Sequence, residues 1–394
     1  QDSSSAASDV YKRQDFRKYI KNWIKENCPE EMKTPVKSED QVWASSKISF
    51  PNADAKQWFE AMVSEGYCTP TWPKQYGGAG LSDEDANILK EELKLAGCRN
   101  PQINFGITML GPVILEYGTE EQRQEFLPKI SKGEIRWCQG FSEPGAGSDL
   151  AGISTQALKD GNNYLINGSK IWTSEADKSD WMYCLTKTDK TKKHDGISFL
   201  LLNMRQKGVT TKKIRLLSGV SPFCQVFFDD AIASVNHCIG GENQGWKVAK
   251  KLLLHERLMM SDMESEGAFD IAPNEILSSG SDFEGKSLMH KEINKHELRN
   301  NLIDLTMQRV KQESLSSFSE ASLTLKYLST EELQKRWELN INALGMGGLI
   351  NVDQEDNQLN NIVKSFFYSK AYTIAGGSSE AVSYTHLRAH ETSN

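Results

Sequence analysis

Hydrophobic residues recur at three- and four-residue intervals near the start of the chain, a spacing that predicts amphipathic helices. Phe16, Ile20, Trp23 and Ile24 lie among Lys, Arg and Glu, so they form one apolar stripe on a helix. Similar patterns predict further helices at Trp58 to Met62, at Asp83 to Leu95, and at Glu120 to Ile130 with Thr119 as N-cap. The first part of the chain is therefore predicted to be mainly α-helical.

The pattern changes near Trp137, where turn signals begin to separate short aromatic and β-branched segments. The clearest turn signals are Asp160 to Asn163 and Asn167-Gly168. The predicted strands are Tyr164 to Ile166, Lys170 to Trp172, Trp181 to Thr186, Ile197 to Leu202 and Cys224 to Phe228. Strands punctuated by Asn-Gly predict antiparallel hairpins, and hence a small barrel or sandwich.

Helical patterning returns after Gly245 and continues to Tyr372, with the polar segment Glu264 to Ser287 predicted as a loop. The order of elements predicts an α+β multidomain protein. Its domains are an α-helical domain over residues 15–134, an antiparallel β domain over 135–240 and a second helical domain over 241–381. A chain of 394 residues has room for about two or three such domains.

The two ends of the chain lack any apolar period. Back-translating Asp9 to Gln14 and reading the reverse complement in a shifted frame can encode residues 382 to 386. We interpret residues 1–14 and 382–394 as the translated adaptor of a transposon-based sequencing library, and exclude them from the fold prediction. On this interpretation a native targeting peptide would lie outside the sequence.

Composition excludes several classes of protein. The net charge of -7 argues against binding to a nucleic-acid backbone as the main function. The seven cysteines are scattered singly, which predicts reduced thiols in a cytoplasmic protein rather than a disulfide framework or a metal site. The longest uncharged apolar run, Ile197 to Leu202, is too short to span a membrane.

The segment Cys138 to Asp149 is the sharpest chemical feature of the chain. Its glycines and proline predict a turn with exposed backbone N–H groups, and its serines add hydroxyl donors. Such a turn suits a phosphate or an electron-rich heterocycle, although most glycine-rich turns have no ligand. A Rossmann fingerprint and a P-loop motif are both missing from the sequence, which disfavours those nucleotide-binding folds.

Four motifs in order resemble the acyl-CoA dehydrogenase family. They are Ser142 to Asp149, Asn167 to Ser174, Gly245-Trp246 and Gly376 to Glu380. The resemblance runs from about Phe16 to Ala381. It implies an N-terminal α-helical domain, a middle β domain and a C-terminal four-helix bundle. It also implies α,β-dehydrogenation of an acyl-CoA thioester with FAD as acceptor, as in fatty-acid β-oxidation.

The resemblance places the flavin contacts in the β domain. Phe141 and Ser142 would lie along the flavin ring, and Ser148 would lie near the pantetheine and pyrophosphate of the ligands. The segment that would face the ring is Trp172, Thr173 and Ser174, with the indole over the isoalloxazine and Ser174 near N5. Hydroxyl and amide donors there stabilise the charge that reduction places on a flavin. The alternative for Trp172 is a cross-strand core aromatic.

The resemblance also suggests the catalytic base. Many members place a Glu immediately before the Gly of the C-terminal motif, but that position is Gly376 here, which cannot take a proton. A second pattern in the family places the base before an Arg on a bundle helix, which corresponds to Glu256 and Arg257. A Glu facing an apolar channel would have a raised pKa. The alternative for Glu256 is a solvated partner of a nearby cation, and His255 is assigned no role.

A glycine-rich segment of the family, with which a neighbouring subunit contacts FAD, is altered in this chain. The segment reads Asn342 to Gly348, with Asn in place of Gln and Met346 in place of a Gly. By resemblance the cofactor contacts would include Asn342, Gly345, Gly348, Ser378 and Glu380, and the substrate contacts would include Ser148, Arg257 and Gly376. The family's diphosphate-binding Arg has no clear counterpart near Phe283 to Lys286. The alternative for the glycines is close helix packing.

The leading hypothesis is an FAD-dependent acyl-CoA dehydrogenase, a homodimer or tetramer that passes electrons to an electron-transfer flavoprotein. Gly376 motivates a second hypothesis, a non-catalytic FAD-binding subunit of a hetero-oligomer. A third is an acyl-CoA oxidase or another flavoenzyme of this fold, including a DNA-repair relative that the acidic charge disfavours. The chain would stop before the last helix of the family, and the acyl group is not encoded in any local motif.

Overall fold

A computed structural model describes residues 2–34, 40–265, 300, 303–304, 307–308, 322–344 and 358–381. The chain divides into two compact units. The first contains residues 1–145, 151–211 and 225–252, and the second contains residues 146–150, 212–224 and 253–394. Each unit has its own architecture. Every helix in the described ranges is too short or too polar to cross a membrane.

The first unit begins with helices, as the apolar periodicity predicts. They are α1 (Asp2–Asn27), α2 (Ala53–Ser64), α3 (Asp83–Leu95), α4 (Gly111–Tyr117) and α5 (Glu120–Ser131). Helix α1 includes residues 2–14, which we interpret as adaptor-derived. The predicted stripe is buried at Ile20, Trp23 and Ile24. The Trp23 ring packs 5.6 Å from Trp58 and 4.9 Å from Tyr67, measured between centroids.

Thr119 caps α5 as predicted. Its hydroxyl accepts a hydrogen bond from the Gln122 N–H, and the Gln122 side chain accepts one from the Thr119 N–H. This reciprocal capping box satisfies two donors that the start of a helix leaves open. The Gln122 amide also donates to the carbonyls of Asn236 and Cys238, so the cap ties the helices to the β domain.

An eight-stranded sheet follows these helices along the chain. Its strands are β1 (Trp137–Gly140), β2 (Gln156–Asp160), β3 (Asn163–Ser174), β4 (Trp181–Lys187), β5 (Ile197–Asn203), β6 (Val209–Ile214), β7 (Phe223–Ser234) and β8 (Cys238–Ile239). Their order is β6-β7-β3-β2-β4-β5-β8, with β1 on β4. The sheet is mixed rather than purely antiparallel, because β4 pairs in parallel with both β1 and β2.

The prediction of a hairpin at Asn167-Gly168 is wrong. Strand β3 runs unbroken through both residues, and its true hairpin partner is β2, across the turn at Asp160 to Asn163. Gly168 has φ +142° and lies against Thr155, where a Cβ would come within 2.7 Å of the hydroxyl. The glycine therefore serves close backbone approach inside a strand, a role that the Asn-Gly pair does not distinguish from a turn.

The described helices after the β domain are α6 (Gly245–Ser265), α7 (Ser322–Leu344) and α8 (Gln358–Tyr372). Helices α7 and α8 pack on each other in the second unit, with Leu333, Trp337 and Ile362 buried. Tyr368 of α8 stacks on Phe223 with ring centroids 6.3 Å apart. The described ranges thus include three long helices of the expected four-helix bundle. Most of the predicted polar loop lies outside the described residues.

Gly245 opens α6 where that helix begins against strand β5. A Cβ at this position would lie 2.4 Å from the Ser198 carbonyl carbon and 2.6 Å from the Phe199 nitrogen. Both contacts are to backbone, which cannot rotate away. The Gly245-Trp246 motif therefore has a steric origin, because only glycine lets the helix start so close to the sheet.

We expect Gly245→Ala to lower the free energy of unfolding by about 1–3 kcal/mol, since the methyl group would force β5 and α6 apart. Gly147→Ala is the matched control, because a Cβ there has no atom within 4 Å. Urea unfolding followed by tryptophan fluorescence measures both variants. Equal stability of the two would show that α6 does not depend on close approach to β5.

Candidate functional site

A buried ion pair organises the glycine-rich segment of the β domain. The Lys170 Nζ lies 2.7 Å from a Glu143 carboxylate oxygen, with the two side chains 0% and 4% exposed. Glu143 also accepts hydrogen bonds from the Ser154 N–H and hydroxyl and from the Thr155 N–H. Burial by itself raises the pKa of Glu143, but the Lys170 ammonium and these donors outweigh it and hold the pKa at about 2.

The same lysine ties strand β3 to the segment that contains Phe141 and Ser142. Lys170 Nζ donates to the Phe141 carbonyl at 3.1 Å, and the Ile171 N–H donates to the Ser142 carbonyl at 2.9 Å. The Phe141 ring is buried edge-on against Tyr183, with 6.1 Å between ring centroids. Ser142 is half-buried. The structure thus brings Phe141 and Ser142 next to the strand that carries the other predicted flavin contacts.

The end of β3 has an unusual backbone. Trp172 has φ +60°, in the left-handed region that a tryptophan rarely adopts, and its side chain is 54% exposed. The exposure argues against the alternative of a core aromatic. Thr173 is buried, and its hydroxyl finds no hydrogen-bond partner among the described residues. Ser174 is half-buried. An exposed indole next to an unsatisfied buried hydroxyl is a feature typical of a ligand site.

A second polar network holds the chain just after these residues. Glu175, also left-handed at φ +53°, accepts a hydrogen bond from Arg136 at 3.1 Å. The Arg136 guanidinium stacks 4.0 Å from the Trp43 ring centroid. Asp180 accepts hydrogen bonds from the Arg136 N–H and from the Ser46 N–H and hydroxyl. Sequence reasoning missed this network, because its members come from segments that no motif connects.

The remaining part of the glycine-rich segment is exposed except at Ala146. Gly145, Gly147 and Ser148 are exposed, and a Cβ at either glycine would meet no atom within 4 Å. Neither glycine has a positive φ. The two glycines are therefore not required by close packing within the chain or by a left-handed backbone, and leave space over the segment for a bound molecule.

Glu256 and Arg257 lie next to each other on α6 and are both half-buried. Burial lowers the pKa of Arg257, while the neighbouring Glu256 carboxylate raises it. The Arg257 Nε is buried and finds no hydrogen-bond partner in the described part of the chain. The partial burial argues against a fully solvated Glu256, which is the alternative that its position on a helix suggested.

The C-terminal motif forms a turn after α8. Gly376 and Gly377 have φ +68° and +109°, so both need the conformational freedom of glycine. The Ser378 hydroxyl accepts a hydrogen bond from the Ala381 N–H at 3.3 Å. Glu380 is exposed, as is Asn342 near the end of α7. Gly345 and Gly348 lie outside the described residues.

FAD fits the residues present in the β domain. The exposed Trp172 indole offers a flat apolar face, and the unpaired Thr173 hydroxyl offers a hydrogen-bonding group beside it. No group of three or more His, Cys, Asp or Glu side chains in the described ranges could hold a metal ion. An exposed indole face beside a hydroxyl suits an organic heterocycle with polar edges.

We expect Lys170→Met to destabilise the fold by about 3–5 kcal/mol, because it leaves the Glu143 carboxylate buried without its cation. The double variant Lys170→Met with Glu143→Gln should recover a large part of that loss, since it removes the uncompensated charge. Lys159→Met is the control, as Lys159 is 58% exposed. Urea unfolding measures all three. If Lys170→Met is as stable as Lys159→Met, the structural role of the ion pair is contradicted.

Comparison with known proteins also indicates the acyl-CoA dehydrogenase family. The family model for the acyl-CoA dehydrogenase N-terminal domain matches residues 14–134, and the model for the middle domain of that family matches residues 138–231. The acyl-CoA dehydrogenase IpdE1 of Mycolicibacterium smegmatis is 29% identical over 400 residues, covering 93% of this chain and 94% of the relative.

The acyl-CoA dehydrogenase IpdE1 of Mycobacterium tuberculosis is 35% identical over 245 residues, covering 62% of this chain and 63% of the relative, less than two thirds of either protein. The solved ChsE4-ChsE5 complex of Mycobacterium tuberculosis contains a chain of the same fold, with a TM-score of 0.67, 24% identity and 94% coverage of both chains. The two family models together cover more than half of the residues, so the chain belongs to the acyl-CoA dehydrogenase family of oxidoreductases.

Proposed function

We propose that this protein is an FAD-dependent acyl-CoA dehydrogenase that converts an acyl-CoA thioester to the trans-2-enoyl-CoA. The observation that carries the proposal is the end of β3. There Trp172 is exposed and has a left-handed backbone, and the buried Thr173 hydroxyl has no hydrogen-bond partner among the described residues. The Glu143–Lys170 ion pair holds this end of the strand beside Ser142. Backbone strain and an unsatisfied polar group at one place are features that structures retain where a ligand is bound.

Phe141, Ser142, Trp172, Thr173 and Ser174 would hold the flavin half of FAD. When bound, FAD supplies an acceptor for the hydride that leaves the substrate β-carbon. The protein's part is to orient this acceptor: the Trp172 face covers the apolar ring, and hydroxyl donors satisfy its polar edge. Because Lys170 and Ile171 bond to the carbonyls of Phe141 and Ser142, these groups would be in place before the cofactor arrives.

Glu256 would remove the α-proton of the substrate. Its half-buried position excludes part of the solvent, which strengthens its action as a base on an acidified C–H bond. Gly376 has no side chain to take this role. Its backbone N–H would instead donate to the thioester oxygen, where negative charge develops as the proton leaves. The desolvated Arg257 would contact the substrate beside Glu256.

The proposal also assigns contacts to the CoA portion of the substrate and to the rest of FAD, and it names the protein's partners. Ser148 would contact the CoA portion of the substrate, and Asn342, Gly345, Gly348, Ser378 and Glu380 would hold the rest of FAD. An electron-transfer flavoprotein would accept the electrons, and the protein would assemble as a homodimer or tetramer in the cytoplasm. The seven free cysteines agree with a reducing compartment.

Anaerobic titration of the FAD-loaded protein with a panel of acyl-CoA thioesters tests this function. At least one thioester should bleach the visible absorbance of the bound flavin stoichiometrically. The panel should vary in chain length, branching and ring character, because side chains dispersed over the whole channel decide substrate size. The dehydrogenase proposal is refuted if every acyl-CoA thioester leaves the flavin oxidised, both in the protein alone and in the presence of any protein that co-purifies with it.

A second candidate is a non-catalytic FAD-binding subunit of a heteromeric dehydrogenase. One argument for it is Gly376, which stands at the position of the common catalytic Glu. Another is the solved ChsE4-ChsE5 complex, an assembly of two proteins that contains a chain of the same fold. The same titration separates the candidates. Flavin bleaching that requires a co-purified partner would support the heteromeric subunit, whereas bleaching of the protein alone would support the complete enzyme.

We expect Glu256→Gln to abolish flavin reduction by a reactive acyl-CoA while leaving FAD bound, because the amide cannot accept the α-proton. Rapid mixing under anaerobic conditions measures the rate, and the flavin-to-protein absorbance ratio measures FAD content. Glu338→Gln is the control, since Glu338 is a half-buried glutamate of α7 to which the proposal gives no role in the reaction. An unchanged reduction rate in Glu256→Gln would assign the base to another residue.

A further inference from the structure

We propose that Lys326 and Glu331 of α7 are positioning residues for the C-terminal turn, holding the backbone of Gly376 to Ser379 in the geometry that ligand contact requires. This inference rests on the proposed function, which places ligand contacts at Gly376 and Ser378. Its own support is a two-point attachment of the turn to α7, visible in the hydrogen bonds of both residues.

Lys326 is fully buried, at 0% exposure, although lysine is almost never found so deep without a partner. Its Nζ donates to the Gly377 carbonyl at 2.6 Å and to the Thr373 carbonyl at 3.4 Å. A hydrogen bond from an ammonium is stronger than one between neutral groups, and burial strengthens it further. Lys326 therefore binds the turn on both sides of Gly376.

Glu331 provides the second attachment. Its carboxylate accepts a hydrogen bond from the Ser379 hydroxyl at 2.6 Å. Glu331 lies five positions after Lys326 on α7, and Ser379 lies two positions after Gly377 in the turn. The helix thus contacts the turn on both sides of Ser378, and a rigid element sets the distance between Lys326 and Glu331.

The geometry of the peptide links these contacts to the ligand. A trans peptide points its carbonyl and its N–H in opposite directions, so an ammonium on the Gly377 carbonyl also sets the direction of the Ser378 N–H. On the other side, the Ala375 N–H is fixed by its bond to the Ala371 carbonyl. Gly376 therefore lies between two anchored peptides, and only the torsions of residues 375–377 set where its own N–H is directed.

A simpler alternative is that Lys326 merely caps the C-terminus of α8, as basic side chains often do. The two roles differ in their consequences. A cap stabilises the fold without regard to the reaction, whereas a positioning residue sets the rate of the chemical step. Loss of one oxyanion-hole donor reduces kcat by about 100- to 1000-fold where it has been measured. A disoriented donor should have a smaller effect of the same kind.

The test compares Lys326→Met, Ser379→Ala and Lys326→Arg in the FAD-loaded protein. Lys335→Met is the control, because Lys335 lies exposed on the same helix. We expect kcat for flavin reduction to fall by about tenfold to a hundredfold in Lys326→Met and less in Ser379→Ala, with KM changing much less. Lys326→Arg should recover part of the rate, and Lys335→Met should match the unmodified protein.

Amide hydrogen exchange of residues 376–379 gives a readout that does not depend on activity. It should be faster in Lys326→Met and Ser379→Ala, with α8 protected as before. If no acyl-CoA reduces the flavin of the unmodified protein, the proposed function fails while the exchange data still decide on the attachment. Unchanged exchange in both variants would overturn the inference, as would kcat unchanged relative to Lys335→Met. Should Lys326→Met not fold, Ser379→Ala and Lys326→Arg provide the same comparison.

Discussion

The candidate flavin site depends on one buried ion pair. Lys170 and Glu143 are 27 positions apart, yet between them they bind the Phe141 carbonyl, the Ser154 N–H and hydroxyl, and the Thr155 N–H. Taking two charges out of water is costly, and the pair offsets that cost through its short mutual contact and these further hydrogen bonds. The consequence is that residues 141–143 are tied to strand β3 directly before the left-handed Trp172.

The second unit applies the same physical principle to a different turn. There a buried lysine, Lys326, donates to two carbonyls of the C-terminal turn 47 and 51 positions away. In both units an ammonium holds backbone carbonyls, and in both the adjacent backbone is left-handed, at Trp172 and at Gly376. Left-handed backbone is unfavourable for tryptophan, so it persists where surrounding contacts over-determine it. Glycine at 376 adopts this conformation without such a cost.

Local contacts constrain the residues proposed for proton transfer less than they constrain the residues proposed to hold the flavin. Glu256 and Arg257 are half-buried neighbours on a helix, a setting that many surface residues share. What distinguishes them is the absence of a carboxylate at Gly376, where the positive φ favours glycine over glutamate. In the proposed reaction, a turn that favours glycine at position 376 leaves the role of base to Glu256.

The sequence by itself determined the elements and the family. Apolar periodicity predicted α1, α2, α3 and α5, the Thr119 cap and five strand segments, because each depends on residues a few positions apart. Four ordered motifs identified the acyl-CoA dehydrogenase family. The tertiary structure alone decided that Asn167-Gly168 continues a strand, that β4 pairs in parallel with β1 and β2, and that Lys170 and Lys326 bind distant carbonyls. These outcomes depend on which segments the topology brings together, and no local pattern of residue types contains that information.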